Sequence, residues 1–333
     1  MALLAAATVA ALTGLGLVAA SGVPNQAGPT AAATAPVATG TPGQPTPYKG
    51  AFAGVTVLLL GDSLAAGEGG SNYLNGTDEP HQRCHRSAAG WFAGTAAEIT
   101  NLGCSRAIIR NLTAPQTDPE YNARPEPAQL EAASGRMTDI TLVMLGGNDI
   151  RFAEIFNQCV LSDADCTADP AFRSRALSTA EALSDSLAGA YLRVAEHVGG
   201  TAVLVPAYPR LFGDATAGCG RISPAEAKFA TDLITALNHS VRTGAEAAAE
   251  THPAVRFVPA TEAAFSGHGA CDLDPYVHTV LPTALIGAVQ EPSAAQELLH
   301  PNAAGYAKLT EALAGWLAAN PSVISTAPSS SAP

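Results

Sequence analysis

Ser63 is the first residue of this sequence whose type and position suggest chemistry. It follows the apolar run VTVLLL at residues 55–60, separated from it by Gly61-Asp62. A serine beside the free backbone N–H groups of a turn becomes a nucleophile when a base removes its proton and donors hold the oxyanion that forms. The plainer interpretation is a turn that only ends a strand. The serine alone does not decide between the two.

A second polar stretch follows a second apolar run. Gly146-Gly147-Asn148-Asp149 comes directly after ITLVML at residues 140–145. The nucleophile elbow Gly-x-Ser-x-Gly is a weak match to the region around Ser63, because Gly-Asp-Ser-Leu-Ala lacks the second glycine. Ser63 also follows the first recognisable strand, whereas an elbow needs more sheet before it. A different serine scaffold is therefore indicated.

The elements that position these residues are strands alternating with helices. Short apolar runs predict buried strands at residues 55–60, 140–145, 201–205 and 255–258. Helical patterns predict helices at residues 87–100, 178–197, 224–250 and 303–319, the third opened by a capping box at Ser223 and the fourth capped by Asn302. Such alternation predicts a parallel sheet in an α/β sandwich, with ligands bound beyond the carboxyl ends of its strands. Both polar stretches lie at that end.

The sequence resembles the SGNH, or GDSL-type, hydrolase family. The family's marker blocks match GDSLAAGEG around Ser63, GGND with Asn148, and LLHPNAAGY with His300, in the family's order. The resemblance covers residues 53–318 and implies a three-layer α/β/α sandwich with a mostly parallel, flavodoxin-like sheet. It also implies Ser63 as the nucleophile, His300 as the general base, and an oxyanion hole formed by the N–H of Ser63, the N–H of Arg106 and the Asn148 amide.

Two residues depart from the family pattern. Arg106 stands in Cys-Ser-Arg-Ala, where secreted members have glycine. Its backbone N–H can still donate, but a positive φ would strain an arginine there. Glu297 stands three residues before the histidine, where many members have aspartate. Glu297 is the candidate catalytic acid, which would hold the imidazole in the right tautomer. The alternative, which some secreted relatives use, is a backbone carbonyl just before the histidine.

Six cysteines lie in the predicted globular part. An even number behind an export signal suggests disulfides, but six cysteines allow fifteen pairings. The stretch HQRCH raises a metal alternative, which is weak because no second ligand cluster completes a zinc site. The resemblance implies pairing in sequence order. The implied pairs are Cys84–Cys104, Cys159–Cys166 and Cys219–Cys271.

The terminal segments and the composition indicate where the protein is located and which partners it lacks. Residues 1–22 are apolar or small without a charge, which predicts a cleaved signal peptide or, as the alternative, an N-terminal anchor. Residues 23–50 and 321–333 predict a disordered linker and tail around a catalytic domain at 51–320. A formal charge of -12, from 17 basic and 29 acidic residues, excludes a nucleic-acid partner.

We therefore expect a secreted serine esterase or lipase acting on small-molecule or lipid esters. It would work as a monomer without a cofactor, a metal or an obligate protein partner, extracellularly or held at the cell surface by an uncleaved N-terminal segment. One alternative is a phospholipase or carbohydrate acetylesterase on the same fold. A more distant alternative is a catalytically silent surface binding protein.

Overall fold

The computed structural model describes residues 52–80, 82–118, 122–162, 164–198, 202–213, 218–220, 222–280 and 292–325. The strands are β1 Thr56–Gly61, β2 Glu98–Asn101, β3 Gln116–Asp118, β4 Asn122–Glu126, β5 Ile140–Met144, β6 Ala202–Pro206 and β7 Val255–Val258. The α-helices are α1 Ser63–Ala66, α2 Gln129–Ala133, α3 Phe152–Phe156, α4 Pro170–Glu181, α5 Ser184–Val198, α6 Pro224–Thr251, α7 Pro292–Glu297, α8 Ala303–Ala319 and α9 Ser322–Ser325.

Five strands form one parallel sheet in the order β2-β1-β5-β6-β7. The chain moves outward in one direction from β1 to β2 and in the other from β5 to β7. The order therefore reverses between β1 and β5, where a crevice opens at the carboxyl end of a parallel sheet. The predicted α/β fold is confirmed, and the two turns carrying Ser63 and Asn148 lie at this reversal.

Burial explains why the apolar runs become strands. All residues of β5 and β6 are buried, as are all of β1 except its first. Continuous apolar runs are typical of parallel strands that are covered on both faces. The four predicted strands are confirmed with ends displaced by no more than one residue.

The helix predicted at residues 87–100 is wrong. The segment instead forms turns followed by the edge strand β2. Gly94 and Phe92 adopt positive φ angles of 72° and 61°, which no helix accommodates. The aromatic side chains are buried under the nucleophile turn, where Trp91 Nε1 donates to the Leu64 carbonyl at 2.9 Å.

The remaining helix predictions are confirmed in part. The pattern at residues 178–197 falls on two helices, α4 and α5, rather than on one. The capping box at Ser223 is present, with its side chain accepting from Glu226 N while Glu226 reaches back to Ser223 N. Asn302 caps α8 by accepting from Gly305 N. This last cap fixes the start of the helix that follows His300.

The three implied disulfides are all present, as Cys84–Cys104, Cys159–Cys166 and Cys219–Cys271. The first closes a loop of 20 residues between the segments after α1 and after β2. A covalent closure of this length stabilises a fold by about 3 kcal/mol through the entropy of the unfolded chain.

The terminal predictions fall mostly outside the described residues. Residues 1–50, predicted as signal peptide or anchor and linker, lie outside them, as do residues 326–333. Within the segment predicted as a disordered tail, Ser322–Ser325 form a helical turn and Val323 is buried. Among the described helices, none is both long and apolar enough to cross a membrane.

Candidate active site

Ser63 begins the short helix α1 directly after β1. Asp62 caps this helix by accepting from Leu64 N at 3.0 Å. Gly61 is required before it: its φ is 130°, and a Cβ there would lie 1.8 Å from the Met144 carbonyl oxygen. The close approach of β1 to β5 thus fixes the turn that presents Ser63.

Asp62 ties the two turns of the site together. Its buried carboxylate accepts from Tyr208 Oη at 2.5 Å, and Gly147 N donates to the same hydroxyl at 3.1 Å. Burial raises the pKa of Asp62 to about 7, against the lowering effect of its hydrogen bonds. Through Tyr208, Asp62 therefore connects the turn that carries Ser63 to the turn that carries Asn148.

His300 faces Ser63 from the segment between α7 and α8. Its Nε2 lies 2.8 Å from Ser63 Oγ, although 237 residues separate the two in sequence. Its Nδ1 lies 3.2 Å from the Leu298 carbonyl oxygen. Leu299 between them has a φ of 61°, a left-handed turn that folds the carbonyl back toward the ring. A serine, an imidazole and a carbonyl thus stand in line.

The Glu297 carboxylate is engaged by other partners. Tyr73 Oη donates to its Oε1 at 2.5 Å, and its Oε2 lies 3.9 Å from His278 Nε2. Tyr73 Oη in turn accepts from Gly69 N at 2.9 Å. The backbone carbonyl of Glu297 accepts a hydrogen bond from His300 N at 2.9 Å. Its side chain therefore braces the histidine loop against the loop after α1, and the Leu298 carbonyl occupies the position beside Nδ1.

The predicted oxyanion residues line the cleft in which Ser63 and His300 stand. Asn148 follows β5, and its Nδ2 donates to the Ala107 carbonyl at 3.0 Å. This bond joins the Asn148 turn to the Arg106 loop. Arg106 has a φ of 68°, so it does adopt the conformation that favours glycine, and its Nε donates to Asp118 Oδ2 at 2.9 Å.

The strain at Arg106 predicts an ordering of two variants. A left-handed backbone costs an L residue about 1–2 kcal/mol, part of which the greater unfolded-state freedom of glycine offsets. We expect Arg106→Gly to unfold with a free energy about 1 kcal/mol higher than that of Arg106→Ala, because both lose the Asp118 contact and only alanine keeps the strain. Urea unfolding of the two proteins measures the difference, and equal midpoints at equal slopes would contradict it.

Two cavities meet at Ser63, and a third lies beside one of them. An open cleft of about 460 Å³ contains Ser63, His300 and Asn148 and is bordered by Arg83 and Arg106. Two narrow crevices of about 40 Å³ each lie beside it, one of them lined by Ser63 and His300. The two crevices share apolar walls and so run side by side. Their shared residues are Phe152, Leu211, Ile234 and Leu299.

The metal alternative raised by HQRCH finds no support in the described residues. Cys84 is in a disulfide, and His85 is buried with Nδ1 and Nε2 each 3.1 Å from a carboxylate oxygen, of Glu68 and Asp78 respectively. His81 lies outside the described residues. Within the described part of the chain, no three His, Cys, Asp or Glu residues are grouped to hold a metal ion.

Sequence reasoning missed Glu68 and Tyr208. Glu68 lies inside the GDSLAAGEG block, and its Oε2 is 3.7 Å from His300 Nε2. Its place in a marker block was the available sequence signal, but the block does not show which residues contact the carboxylate. Tyr208 follows β6 at the same end of the sheet, but a tyrosine after a strand carries no comparable signal.

Comparisons with known proteins identify the family of the chain. The GDSL-like Lipase/Acylhydrolase family matches residues 59–308. Lipase 1 of Streptomyces coelicolor is 28% identical over 67% of this chain and 75% of its own, and a lipase of Streptomyces rimosus is 27% identical over 67% and 76%.

Solved structures share the fold. Phospholipase A1 of Streptomyces albidoflavus has a TM-score of 0.57 at 24% identity over 78% of this chain and 98% of its own. The extracellular lipase of Streptomyces rimosus has a TM-score of 0.57 at 22% identity over 78% and 99%. From its matched residues, the chain belongs to the GDSL-like Lipase/Acylhydrolase family and is an ester hydrolase.

Proposed function

We propose that the protein hydrolyses carboxylic esters through an acyl-enzyme on Ser63. The observation that carries this proposal is the 2.8 Å contact between Ser63 Oγ and His300 Nε2. Ser63 Oγ attacks the ester carbonyl carbon while its proton passes to His300 Nε2. The oxyanion is held by the N–H groups of Ser63 and Arg106 and by the Asn148 amide.

The second half of the reaction reuses the same groups. The tetrahedral intermediate collapses as the carbon–oxygen bond to the leaving alcohol breaks, and His300 returns its proton to that alcohol. Water then attacks the acyl-serine and gives a proton to His300. The second intermediate collapses as the bond from its carbon to Ser63 Oγ breaks, and His300 returns the proton to Oγ as the carboxylic acid leaves. The Leu298 carbonyl, accepting from Nδ1, keeps the proton of the neutral ring on that nitrogen throughout.

The cavities around Ser63 support a substrate with an apolar acyl chain. The crevice that Ser63 and His300 line is walled by Phe152, Leu211 and Leu299, and it adjoins the second apolar crevice. Apolar walls with few polar groups suit a hydrocarbon chain, whereas an acetyl group would leave them uncovered. The open cleft is left for the leaving alcohol. A lipase or long-chain esterase is therefore favoured over a carbohydrate acetylesterase.

One observation favours phospholipids as a second candidate substrate. Arg83 and Arg106 border the open cleft on the side proposed for the leaving group. Guanidinium groups bind phosphate oxygens well, so a phosphate-bearing alcohol would fit there. Parallel rates on triacylglycerol and phospholipid of equal acyl length, measured over a series of chain lengths, separate the two candidates.

Fluorophosphonate labelling tests the proposal. The reagent should modify the protein stoichiometrically, and peptide mass mapping should place the adduct on Ser63 with simultaneous loss of esterase activity. Labelling should be blocked in unfolded protein, which lacks the histidine contact. Intact protein that is not labelled would overturn the serine mechanism and favour the silent binding protein.

The Leu298 carbonyl predicts a small effect for a change at Glu297. Glu297→Gln keeps an oxygen for Tyr73 and removes only the charge, so we expect kcat to fall less than tenfold, against the roughly 10⁴-fold loss that follows when an orienting carboxylate is replaced by its amide. Tyr73→Phe, which removes the same bond from the other side, is the matched variant. Steady-state kinetics on a short-chain chromogenic ester gives the answer, and a loss above a hundredfold would assign the acid to Glu297.

We infer that the protein works outside the cell on small-molecule or lipid esters, as a monomer without an obligate partner. Three disulfides support an oxidising compartment. Residues 1–22 remain the predicted export signal, with retention by an uncleaved segment as the alternative. The N-terminal residue of the mature protein, found by mass spectrometry, distinguishes cleavage from retention.

A further inference from the structure

Glu68 is a buried carboxylate beside the proposed catalytic pair. Its side chain is 1% exposed, and it lines the same cleft as Ser63 and His300. Glu68 Oε2 lies 3.7 Å from His300 Nε2, the nitrogen that faces Ser63 Oγ. Among the described residues, this is the carboxylate within ion-pair distance of the His300 ring. A carboxylate so placed is within ion-pair distance of a protonated ring.

Two residues next to a disulfide hold the Glu68 side chain. His85 Nδ1 lies 3.1 Å from Oε1, and Ser105 Oγ donates to Oε2. His85 follows Cys84 and Ser105 follows Cys104, so the Cys84–Cys104 disulfide sets the spacing of the two groups. The carboxylate is therefore fixed by a covalently closed frame.

The Glu68 backbone is held as firmly as its side chain. Glu68 N donates to the Ser63 carbonyl at 3.0 Å, and Tyr306 Oη donates to the Glu68 carbonyl at 2.9 Å. Hydrogen bonds thus join the Glu68 backbone to the nucleophile turn on one side and to α8, the helix after His300, on the other. Its distance to the imidazole is a built feature of the site.

The surroundings keep Glu68 ionised. Burial raises the pKa of Glu68, but the His300 charge, the His85 hydrogen bond and charge, and the Ser105 hydrogen bond outweigh it, so the pKa lies below its usual range. For His85, burial lowers the pKa, and the Glu68 contact with the nearby Asp78 and Glu297 charges raises it above its usual value. Near neutral pH Glu68 is therefore a carboxylate.

We propose that Glu68 is a positioning residue that stabilises the His300 imidazolium formed during ester hydrolysis. The Leu298 carbonyl orients the ring but carries no net charge, so the compensating negative charge comes from Glu68 at 3.7 Å. The proton moves from Ser63 Oγ to His300 Nε2, and Glu68 stays ionised. The proposal rests on the serine mechanism proposed above. The other ionisable groups near the pair are His85, Asp78 and Tyr73 around Glu68, Glu297 at the end of α7, His278 in the segment after β7, and Arg83 and Arg106 on the wall of the cleft.

A purely structural role for Glu68 is the competing explanation. In that case Glu68 only joins His85, Ser105 and the disulfide, and its replacement would act through stability or KM. A charge acting on His300 instead changes the pH at which the enzyme loses activity in acid. An opposite charge within about 4–6 Å favours the protonated imidazole by about 1–3 pH units. The pH profile is therefore the decisive readout.

Glu68→Gln is the test, with Glu126→Gln as control. Glu126 is a partly buried carboxylate paired with Arg86 and outside the cleft. We expect Glu68→Gln to lower kcat at least tenfold with KM within a few-fold, and to move the acidic limb of the kcat/KM profile to lower pH by about one unit. Glu126→Gln should leave both unchanged. An acidic limb at the wild-type pH in a folded Glu68→Gln protein would overturn the proposal.

Glu68→Asp keeps the test decisive if the glutamine variant does not fold. Aspartate retains the charge, so the acidic limb should stay near the wild-type pH while kcat falls because the shorter side chain is displaced. If the acidic limb of the Glu68→Asp profile moved to lower pH by as much as about one pH unit, the proposed role of the Glu68 charge would be contradicted. Fluorophosphonate labelling of the wild type is measured in the same series. If Ser63 is not labelled, the serine mechanism itself fails; if it is labelled and the limbs coincide, only the Glu68 role fails.

Discussion

Replacing Ser63 by alanine is expected to lower kcat for ester hydrolysis by roughly 10⁴- to 10⁶-fold, the range seen when a catalytic serine is removed. His300→Ala should cost a similar factor, because Ser63 Oγ without its base at 2.8 Å stays protonated. The double variant should lose no more than the worse single variant, since the two side chains act as one unit. Steady-state kinetics with a chromogenic ester that matches the acyl crevice measures all three.

The controls for this prediction are a remote serine and an active-site titration. Ser178 lies on the exposed surface of α4, so Ser178→Ala should keep the wild-type kcat. Titration of active sites with the fluorophosphonate excludes traces of wild-type enzyme from the residual rate. Additive losses in the double variant, or more than about a tenth of the activity retained by Ser63→Ala, would contradict the pairing.

The strands were predictable where burial on both faces left a continuous apolar run. β5 and β6 are such cases, and their ends agree with the pattern. β2 was not predictable in this way. It lies at the sheet edge with its residues exposed or only partly buried, so its sequence EITN has neither a continuous apolar run nor a clear alternation of apolar and polar residues. The Trp91-Phe92 pair suggested a helix, yet its rings pack under the nucleophile turn from a segment bent by positive φ angles. Tertiary packing overrode a local pattern.

In the candidate site too, local sequence motifs were predictive, whereas features that depend on tertiary structure were not. Ser63 and Asn148 follow predicted strands at the same end of the sheet, so the sequence pattern places these two together. His300 was joined to them by the family resemblance, and the structure has its Nε2 2.8 Å from Ser63 Oγ. The partner of His300 Nδ1 depends on the left-handed backbone conformation of Leu299, and a leucine in the sequence does not predict that conformation. The sequence therefore left Glu297 and a backbone carbonyl as open alternatives.

Glu68 shows a further limit of sequence reasoning. It follows Ser63 by five positions, but its chemical setting comes from His85 and Ser105, which reach it through the Cys84–Cys104 disulfide. A buried carboxylate is stable there only because these donors offset its desolvation. The role proposed for the glutamate rests on contacts across the fold, whereas its neighbours in sequence are small residues without such groups.

Asn148 carries the second large prediction. Its amide has two N–H donors, and the structure assigns the Ala107 carbonyl as a partner of Nδ2. This bond joins Asn148 to the Arg106 loop, and Asn148 also lines the cleft of Ser63. Its second amide N–H is the donor that we propose for the oxyanion. The oxyanion exists only after attack, so this donor strengthens binding of the transition state over the substrate.

Asn148→Ala should accordingly lower kcat by about 10²- to 10³-fold with KM within a few-fold, as removal of one oxyanion donor does elsewhere. Asn320→Ala is the control, because it deletes an amide that bonds the Trp316 carbonyl at the end of α8, outside the cleft, and should keep full activity. The rate of fluorophosphonate labelling should fall in parallel with kcat, since that reaction passes through a similar charged oxygen. A rise in KM at unchanged kcat would show instead that Asn148 binds the ground state, and the oxyanion assignment would then be wrong.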